Sequence, residues 1–422
     1  MKDITVVLIH YADPLAFHKA LSSLKKINTR VKSVMVLQEQ ELKVDIDRGY
    51  ERINQIEFIN PEQALNDIIY RLATPYVLFL HNTDYLSPTI NDHSLQLPHK
   101  KTVLATCYHN RNIVTHRPLL VSAAFLKKVK LLSNHQIPFK EALFPAWLSK
   151  VEASHQQIKD GLVRQLRINS SSNNVEKEKF IQKYQLKKVR TEHPTISVLI
   201  TNYNMGKYVE TAIVSCLLQN EEFEQILIMD DGSTDNSYEQ IQRFHDGKQV
   251  NVFHKQNAGK AKALNQLIPH VTSKFILELD ADDWLDPDAS TVIKERLSTL
   301  PDDVSVLYGN LRKWKQLTND VLFKGVSKGV EINGISDLLS YRFPLGPRIY
   351  RTSILKRDGG FPVIEFEEGR MYEDVSMLHS LIRKTPFRYE DFTVYNVREH
   401  KESITKNNRS KWEDFLDVLK RN

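Results

Sequence analysis

Apolar residues in the first part of the chain recur in two patterns, short continuous runs and runs spaced to cover one face of a helix. These patterns predict a strand at residues 4–9, a helix at 14–24, a strand at 34–37, a helix at 61–72 and a strand at 76–80. Strands that alternate with helices form a parallel sheet with helices on both faces. The pattern therefore predicts an α/β fold.

The same order of patterns returns in the second part of the chain. A strand is predicted at residues 196–200, a helix at 208–218, a strand at 226–229, a helix at 260–268 and a strand at 275–279. The sequence therefore predicts two tandem α/β domains, each with a mostly parallel central sheet.

The two parts also match residue by residue. A shift of 192 positions places Tyr11 on Tyr203, and a shift of 199 places the Ala-Leu-Asn triplet at 64–66 on the same triplet at 263–265. Such self-similarity indicates an internal duplication. Between the copies, residues 169–188 are polar and then charged, which is typical of a linker or a short solvated helix. We therefore expect domains at residues 1–168 and 191–422, joined by a linker at 169–190.

The copies differ at their acidic residues. The later copy has Asp230, Asp231, Asp280 and Asp282 where the earlier one has Gln38, Glu39, His81 and Thr83. Asp283 keeps a carboxylate in the earlier copy, as Asp84. Because the sheet pattern is retained while most of the acids are lost, we expect the first copy to be a degenerate, inactive domain with a structural or partner-binding role.

Three carboxylates directly follow the strand at 275–279, in the stretch KFILELDADDWLDP (274–287). Asp280, Asp282 and Asp283 would repel one another unless a cation compensates their charge. Oxygen ligands suit Mg²⁺ or Mn²⁺, which also take water and phosphate oxygens. The alternative is a solvated acidic turn that leads into a helix. The acids predict a divalent cation site.

Other polar residues stand at strand ends in the later copy, where the loops of a parallel sheet form a ligand crevice. Asn202 and Tyr203 end one strand, and a ring and an amide can stack on a nucleobase and read its edge. Asp230 and Asp231 end the next strand, where the alternative is a turn that caps a helix. Residues 257–265 (NAGKAKALN) open a helix whose start favours anions.

Composition and charge narrow the class of protein. The 422 residues exceed one compact core, and 41% hydrophobic with 26% charged residues is ordinary for a soluble globular protein. The formal charge of +6 favours a phosphate-bearing ligand. Without a basic stripe interleaved with aromatic residues, we expect no nucleic-acid binding.

Location and cysteine usage add less. No apolar run is long enough to cross a bilayer and the N-terminus lacks a signal-peptide pattern, so we expect a cytoplasmic protein. Cys107 and Cys216 have no metal-ligand or redox spacing and are expected to be buried small hydrophobes. The segment 342–351 (RFPLGPRIYR) is interpreted as solvated surface, with contact to an anionic or lipid-linked acceptor as the alternative.

Taken in order, four of these stretches resemble the pattern of glycosyltransferase family 2. They are VLITNYN (198–204), IMDDGST (228–234), NAGKAKALN (257–265) and LDADDWL (279–285). The resemblance covers residues 195–400 and implies the GT-A fold, a Rossmann-like nucleotide-diphosphosugar transferase fold, of which the first copy would be a degenerate version.

The resemblance also implies roles for individual residues. Asn202, Tyr203 and Asp231 would bind the nucleobase, usually uracil. Asp280 would lie near the ribose and diphosphate, and Asp282 would coordinate the divalent metal. By the same resemblance, Lys260 and Asn265 belong to the donor pocket.

Further motifs follow downstream. DGGF (358–361) and then YED (372–374) are similar to the family's G-G-F element and E-D pair, which implies that Asp374 is the catalytic base. Asp414 is a second candidate, but it is expected on the surface of a C-terminal helix. VREH (397–400) resembles the closing R-x-H element, which implies that His400 contacts the metal or the diphosphate; the alternative is a surface histidine.

The implied function is that of an inverting, metal-dependent glycosyltransferase of hexosyltransferase type, with Mn²⁺ or Mg²⁺. It would move a sugar from a nucleotide-diphosphate sugar, expected to be UDP-linked, to a hydroxyl of a glycan or other acceptor in polysaccharide or surface glycan synthesis. One alternative is a nucleotidyltransferase, although its glycine-rich phosphate loop is absent near the first strand. Another is a non-catalytic sugar-nucleotide-binding or scaffold protein. Peripheral membrane contact and oligomer formation stay open.

Overall fold

A computed structural model of the chain describes residues 2–39, 53–58, 61–166, 171–340, 345–364, 366, 371–401 and 411–421. The chain forms two compact units, one of Met1–Asn134 with Lys140–Gln185 and the other of His135–Phe139 with Leu186–Asn422. The predicted domain boundary after residue 168 lies outside the described residues. Residues 171–185 of the predicted linker belong to the first unit, where Phe180 and Ile181 are buried.

The first unit begins with the strand and helix that the sequence predicts. Its strands are β1 (Ile4–Ile9), β2 (Val31–Glu39), β3 (Ile53–Phe58), β4 (Tyr76–His81), β5 (Asp84–Leu86), β6 (Val103–Asn110), β7 (Ile113–Ser122), β8 (Gln156–Lys159) and β9 (Val163–Gln165). Its helices are α1 (Pro14–Ser23), α2 (Pro61–Arg71), α3 (Ala123–Lys128), α4 (Leu143–Ser149) and α5 (Ser172–Gln182). Helix α1 begins at Pro14 because the Asp13 side chain accepts hydrogen bonds from two backbone N–H groups of the first turn.

The central sheet of the first unit has a parallel part and an antiparallel extension. The parallel part has the order β3-β2-β1-β4. Beyond it, β7 is antiparallel to both β4 and β6, and β8 is parallel to β6. The parallel part is confirmed, whereas β6 to β8 are additions that the hydrophobic pattern did not predict.

The second unit repeats this plan. Its strands are β10 (Ile196–Asn202), β11 (Gln225–Asp230), β12 (Val250–His254), β13 (Phe275–Asp280), β14 (Trp284–Leu285), β15 (Val306–Gln316), β16 (Val321–Ser327), β17 (Arg348–Arg351) and β18 (Phe387–Glu399). Its helices are α6 (Val209–Leu217), α7 (Ser237–Gln242), α8 (Lys260–Leu267), α9 (Ala289–Leu297), α10 (Ile335–Ser340), α11 (Thr352–Arg357), α12 (Glu373–Ile382) and α13 (Trp412–Arg421).

The two sheets share strand order and orientation. In the second unit the parallel part is β12-β11-β10-β13, followed by β17 antiparallel to β13 and β15, and by β18 parallel to β15. The register agrees as well: Val6 pairs with Val34, and Val198 pairs with Ile226, both numbers being larger by 192. The duplication stays a prediction, since this likeness is one of topology and register.

The parallel strands of the second unit are apolar on both faces. Along β10, Val198 and Ile200 pack in one core that includes residues of α6, whereas Leu199 packs in another that includes residues of α8. Helices therefore cover both faces, which explains why the strands are continuous apolar runs. The ends of the strands are left to build a site.

Two sequence interpretations are wrong. Cys216 is buried as predicted, but Cys107 is half-exposed: Val103 and Ala105 on the same face of β6 are buried, and the cover ends before Cys107 and the exposed His109. The 342–351 segment is not solvated where it is described, since Arg348 and Arg351 are buried in β17; residues 342–344 lie outside the described part. Among the described residues, no helix is both long and apolar enough to span a bilayer.

Candidate active site

The carboxyl ends of three neighbouring strands carry the polar residues of the second unit. In the ladders, Asn202 of β10 pairs with Asp230 of β11, and Thr201 of β10 pairs with Asp280 of β13. Parallel strands end at the same edge of a sheet, so the loops after β10, β11 and β13 meet there.

Asp230 and Asn202 form a buried hydrogen-bonded pair beneath this edge. The Asp230 carboxylate accepts from Asn202 Nδ2 at 2.7 Å and from the backbone N–H and hydroxyl of Ser233 at 3.0 and 2.6 Å. Asn202 Nδ2 also lies 2.9 Å from Ser237 Oγ, and both Asp230 and Asn202 are almost fully buried. The amide nitrogen of Asn202 is thus used to hold the turn after β11.

Asp231, the second acid of the pair, holds the loop that leads into α8. Its carboxylate accepts from the backbone N–H groups of Ala258 and Gly259 at 3.0 and 2.8 Å, and it forms an ion pair with Lys255. Gly232 is required next to it, because φ is +72° and a Cβ would lie 2.5 Å from the backbone nitrogen of Asn257. The conformation of the loop that leads into α8 therefore depends on Asp231.

Tyr203 presents an exposed ring beside these buried residues. Its side chain is 47% exposed, in contrast to Asn202 before it. The loop that carries it is held by Asn204, whose Oδ1 accepts from the backbone N–H of Thr234 at 2.7 Å. A fixed, exposed aromatic face is suited to stacking on a planar ring.

Lys260 brings three carboxylates together at the start of α8. Its Nζ lies 2.5 Å from Asp280 Oδ1, 2.9 Å from Glu278 Oε1 and 3.1 Å from Glu373 Oε1. The first two acids come from β13 and the third from α12. Lys260 therefore ties the end of the central strand to the first turn of α12.

Arg348 of β17 makes a second link across the same group. Its Nε and Nη2 bond both oxygens of Glu278, at 2.9 and 3.0 Å, as expected for directly opposed residues in antiparallel strands. Its Nη1 lies 3.3 Å from Asp374 Oδ2, and Nη2 lies 3.7 Å from Asp280 Oδ2. We call Lys260, Glu278, Asp280, Arg348, Glu373 and Asp374 the charged cluster.

The electrostatic interactions in the charged cluster favour the charged forms of Lys260 and Glu278. Burial alone would raise the pKa of Glu278, but Arg348 and Lys260 hold that pKa well below its usual range. Burial alone would lower the pKa of Lys260, but the carboxylates, Asp280 foremost, hold it well above the usual value. Burial raises the pKa of Glu373, with Lys260 opposing this effect. The cluster is thus a network of fixed charges.

The acidic turn after β13 forms a second group next to the charged cluster. Asp282 Oδ2 lies 2.9 Å from His400 Nε2, and Asp283 accepts a hydrogen bond from the backbone N–H of Arg398 at 2.8 Å. Burial, and then the carboxylates of Asp282 and Asp280, raise the pKa of Asp283 well above its usual value. Asp283 is buried, so the alternative of a solvated acidic turn is wrong for this residue.

Aromatic rings pack against His400 and Arg398 and fix their positions. The His400 ring packs against Tyr208 with centroids 4.9 Å apart, and the Arg398 guanidinium lies 4.8 Å from Tyr208 and 4.7 Å from Trp284. Burial lowers the pKa of Arg398 to about 10. His400 is buried, which rejects the alternative of a surface histidine.

Asn265, in α8, contacts the loop that contains Gly360 and Phe361. Its Oδ1 accepts from the backbone N–H of Phe361 at 2.7 Å, and its Nδ2 donates to the carbonyl of Phe361 at 2.8 Å. Gly360 makes this approach possible, since its φ is +82° and a Cβ there would clash with Asn265 Oδ1. Asn265 therefore anchors the loop that precedes the base candidate.

We expect Gly360→Ala to destabilise the protein more than Gly359→Ala. Both glycines have positive φ, at +82° and +84°, but a Cβ at Gly359 meets open space. Positive φ alone costs a non-glycine residue about 1–2 kcal/mol, and Gly360→Ala adds the clash with Asn265. Urea unfolding measures the difference. Equal free energies of unfolding for the two variants would contradict a close contact between residue 360 and Asn265.

The two candidate bases occupy different environments. Asp374 stands in the first turn of α12, where Oδ1 accepts from the backbone N–H of Val375 at 2.8 Å and its side chain is 21% exposed. Asp414 is exposed on α13, while the neighbouring Phe415 is buried against Tyr372. Asp374, unlike Asp414, belongs to the charged cluster.

The structure thus divides the predicted site residues into groups. Lys260, Asp280 and Asp374 meet in the charged cluster; Asp282 pairs with His400; Asn202 and Asp231 hold loops at the strand ends; Tyr203 is exposed beside them; and Asn265 lies on the loop of Phe361. Sequence reasoning missed Glu278 and Arg348. A charged residue inside the apolar run FILEL was the available signal, because a buried charge requires a partner.

The acidic turn was tested for its fit to a divalent cation. Asp282 and His400 offer an oxygen and a nitrogen 2.9 Å apart, close enough to bind one ion. Among the described residues, no third acid, cysteine or histidine joins these two within 4.8 Å. Two protein ligands fit a metal that takes its remaining ligands from water and phosphate oxygens.

Comparison with known proteins identifies the family. The family model for glycosyl transferase family 2 matches residues 197–320, which contain the loops after β10, β11 and β13. The chain carries a family 2 glycosyltransferase domain. The predicted family and enzyme class are confirmed, and so is the α/β fold class.

Relatives of this chain are similar to it over different lengths. Glycosyltransferase GlyG of Streptococcus pneumoniae serotype 4 is 26% identical over 236 residues, which are 53% of this chain and 78% of the relative. Chondroitin synthase of Pasteurella multocida is 35% identical over 97 residues, 23% of this chain and only 10% of the relative. The crystal structure of S. aureus TarS 1–349 in complex with UDP aligns at 19% identity, with a TM-score of 0.38, over 53% of this chain and 63% of that one.

Proposed function

We propose that the second unit transfers a sugar from a nucleoside-diphosphate sugar to an acceptor hydroxyl, with inversion at the anomeric carbon. The observation that carries the proposal is the charged cluster, in which one guanidinium, Arg348, contacts both Asp374 and Asp280. A single displacement needs a base on one side of the anomeric carbon and stabilisation of the leaving diphosphate on the other. The cluster joins candidates for both tasks.

Asp374 is proposed as the base. The acceptor hydroxyl attacks the anomeric carbon, its proton passes to the Asp374 carboxylate, and the bond from that carbon to the diphosphate oxygen breaks. The side chain is partly exposed, so an acceptor can reach it, while Arg348 and the backbone N–H of Val375 fix its orientation. A carboxylate held in a fixed orientation suits this role.

The donor is proposed to lie along the strand ends. The exposed Tyr203 ring is suited to stacking on the base, for which we propose uracil, and Asp231 is suited to accepting from its imide N–H. Asn202 acts indirectly, by holding the turn of Asp230. Lys260 offers the cation nearest to the proposed diphosphate position beside Asp280.

A divalent cation, Mn²⁺ or Mg²⁺, fits the acidic turn. Asp282 and His400 would hold it, and when bound it would supply positive charge to the leaving diphosphate. Tyr208 packs against the His400 ring, and Arg398 donates a hydrogen bond to the backbone carbonyl of Asp282, which keeps both ligands in place. Asp283 is buried beside them and accepts a hydrogen bond from the backbone N–H of Arg398, which holds the turn in place.

We expect Asp282→Asn to weaken metal-dependent donor binding by at least about tenfold, in the range seen when the support of a metal ligand is removed. Calorimetric titration of UDP-sugars into the full chain with Mn²⁺, and again with EDTA, measures it. Asp303→Asn, which changes an exposed aspartate outside the site, is the matched control. Undiminished Mn²⁺-dependent binding by Asp282→Asn would contradict the metal assignment, and absence of binding by the parent to every nucleotide sugar tried would contradict the donor site.

The first unit is proposed to have no transfer activity. At the strand ends that correspond to the acidic turn it has His81 and Thr83, both buried. The His81 ring is covered by Phe144 of α4 at a centroid distance of 5.3 Å, and burial holds the pKa of His81 well below its usual value. A covered imidazole leaves no room for a diphosphate, and these two positions lack the carboxylates of Asp280 and Asp282.

The acceptor is proposed to be a glycan. Relatives of the catalytic domain include proteins named chondroitin synthase and hyaluronan synthase, and both names denote the assembly of a polysaccharide. The alignments cover a tenth of each of those proteins, so the likeness concerns the domain. Polysaccharide or surface glycan synthesis is therefore the proposed setting.

A further inference from the structure

A thiol, an imidazole and a carboxylate meet on one face of the first unit's sheet. Cys107 and His109 are two residues apart on β6, so their side chains point to the same face. Asp160 directly follows β8, which runs parallel to β6 with Thr106 opposite Lys159. Two strands far apart in sequence therefore bring the three side chains together.

The distances are those of a ligand set. One atom of each side chain, the Cys107 sulfur, a His109 ring nitrogen and an Asp160 oxygen, lies within 4.8 Å of the other two. His109 Nε2 is 2.9 Å from Asp160 Oδ2. The thiol is half-exposed and the other two side chains are exposed, so an ion can reach all three from solvent.

A second imidazole lies on the neighbouring strand, outside the group of three whose ligand atoms are within 4.8 Å of one another. His116 of β7 is the direct partner of Cys107 in the antiparallel ladder. Directly opposed residues of an antiparallel pair share a face, with Cβ atoms about 4.5–5.5 Å apart. The face thus carries one sulfur, two imidazoles and one carboxylate.

The second unit shows that the fold itself brings two of these positions into contact. Counted along the sequence from the start of the paired ladders, where Val103 matches Val306 and Gln156 matches Phe387, Cys107 falls on Asn310 and Asp160 on Asp391. The β15–β18 register shifts at Asn310, so Thr393 is its ladder partner. Asn310 Nδ2 donates to Asp391 Oδ1 at 2.7 Å. In the second unit an amide fills the place of the thiol, and the pair is a hydrogen bond without metal-binding character.

We propose that Cys107, His109 and Asp160, with His116 as the fourth ligand, form a binding site for Zn²⁺ in the first unit. A donor set that mixes thiolate, imidazole and carboxylate is typical of Zn²⁺ and disfavours Mg²⁺ and Ca²⁺, which prefer oxygen alone. A surface His–Asp pair has no need of a thiol beside it, and by itself it stabilises little. The ion joins β6 to β8, the last strand of the sheet, and so has a structural role separate from sugar transfer.

Cobalt titration of the full chain tests the site. Co²⁺ is added to chain freed of metal by EDTA and dialysis, and thiolate-to-Co²⁺ charge transfer is followed in the near ultraviolet, with Zn²⁺ then added as competitor. We expect one equivalent of Co²⁺ to give the band and Zn²⁺ to remove it. Co²⁺ at the oxygen-rich turn of Asp282 gives no thiolate band, and Cys216 is buried away from solvent, so the band reports Cys107 alone.

Four variants decide the outcome. Cys107→Ser should lose the band, and His109→Gln and Asp160→Asn should weaken Co²⁺ binding by tenfold or more, whereas Asp282→Asn should leave the band unchanged. Zn²⁺ should also raise the Tm of the parent and not that of Asp160→Asn, an exposed substitution that leaves the fold intact. Absence of a band at saturating Co²⁺, or equal affinity in the parent and Asp160→Asn, would overturn the proposal.

Discussion

The Asp374→Asn variant is expected to lose about 10²–10⁴-fold in kcat, the usual contribution of a general base. An amide keeps the size of the side chain, and its one oxygen can still accept from the backbone N–H of Val375, whereas its NH2 group takes the place of the oxygen that faces Arg348. It cannot take the proton of an acceptor hydroxyl. Donor affinity should therefore stay within about twofold of the parent, because the loss falls on the chemical step.

The matched control is Asp414→Asn. Both aspartates stand in the first turn of a helix and follow a glutamate, but Asp414 is exposed and lies outside the charged cluster. Steady-state rates of nucleoside diphosphate release, with donor affinity from calorimetry, separate the two. Full turnover by Asp374→Asn together with loss of turnover in Asp414→Asn would show that the base has been assigned to the wrong residue.

Glu278→Gln is expected to cost about 3–5 kcal/mol of unfolding free energy, as is typical when one partner of a buried ion pair is removed. The variant leaves the Arg348 guanidinium buried with an amide in place of the carboxylate that bonds it at 2.9 and 3.0 Å. Lys260 also loses one of its three carboxylates. Urea unfolding at pH 7 measures the change.

The double variant Glu278→Gln/Arg348→Met tests the cause. If the uncompensated guanidinium is responsible, the double variant should be more stable than Glu278→Gln alone. The folded-state pKa of Glu278 lies below its unfolded value, so its contribution is fully present above about pH 5 and is lost as pH falls below about 4. A cost under 1 kcal/mol at pH 7, or one that grows on acidification, would contradict the ion-pair account.

Hydrophobic periodicity was sufficient for the parallel half of each sheet. β1 and α1, and β10 and α6, were predicted to within a few residues because their apolar residues face a core on a regular period. The strands beyond the parallel part of each sheet were missed for a physical reason. In β16 the first residue is buried, and the remaining residues alternate between exposed and half-exposed. β18 is long, carries charged residues and is only partly buried.

The site was predictable only where clustered polar residues follow a strand or where a motif resembles the family pattern. Asp282 and Asp374 stand in such motifs, whereas the partner that holds Asp374, Arg348, comes from a segment that looks like solvated surface. Arg348 is buried because it pairs with Glu278 in the neighbouring strand. The pairing of two residues about 70 positions apart cannot be predicted from a local sequence pattern. Cys107 illustrates the same limit, since its neighbours His109 and Asp160 meet it through pairing of β6 with β8.

The most direct measurement is nucleoside diphosphate release from a panel of nucleotide sugars, with Mn²⁺ and a glycan acceptor mixture, by the parent chain and by Asp374→Asn and Asp282→Asn. We predict that the parent releases the diphosphate from at least one UDP-sugar, that EDTA stops the release, and that both variants fall by about 10²-fold or more. No release by the parent with any donor, or release that both substitutions leave unchanged, would contradict a catalytic site at the charged cluster and the acidic turn.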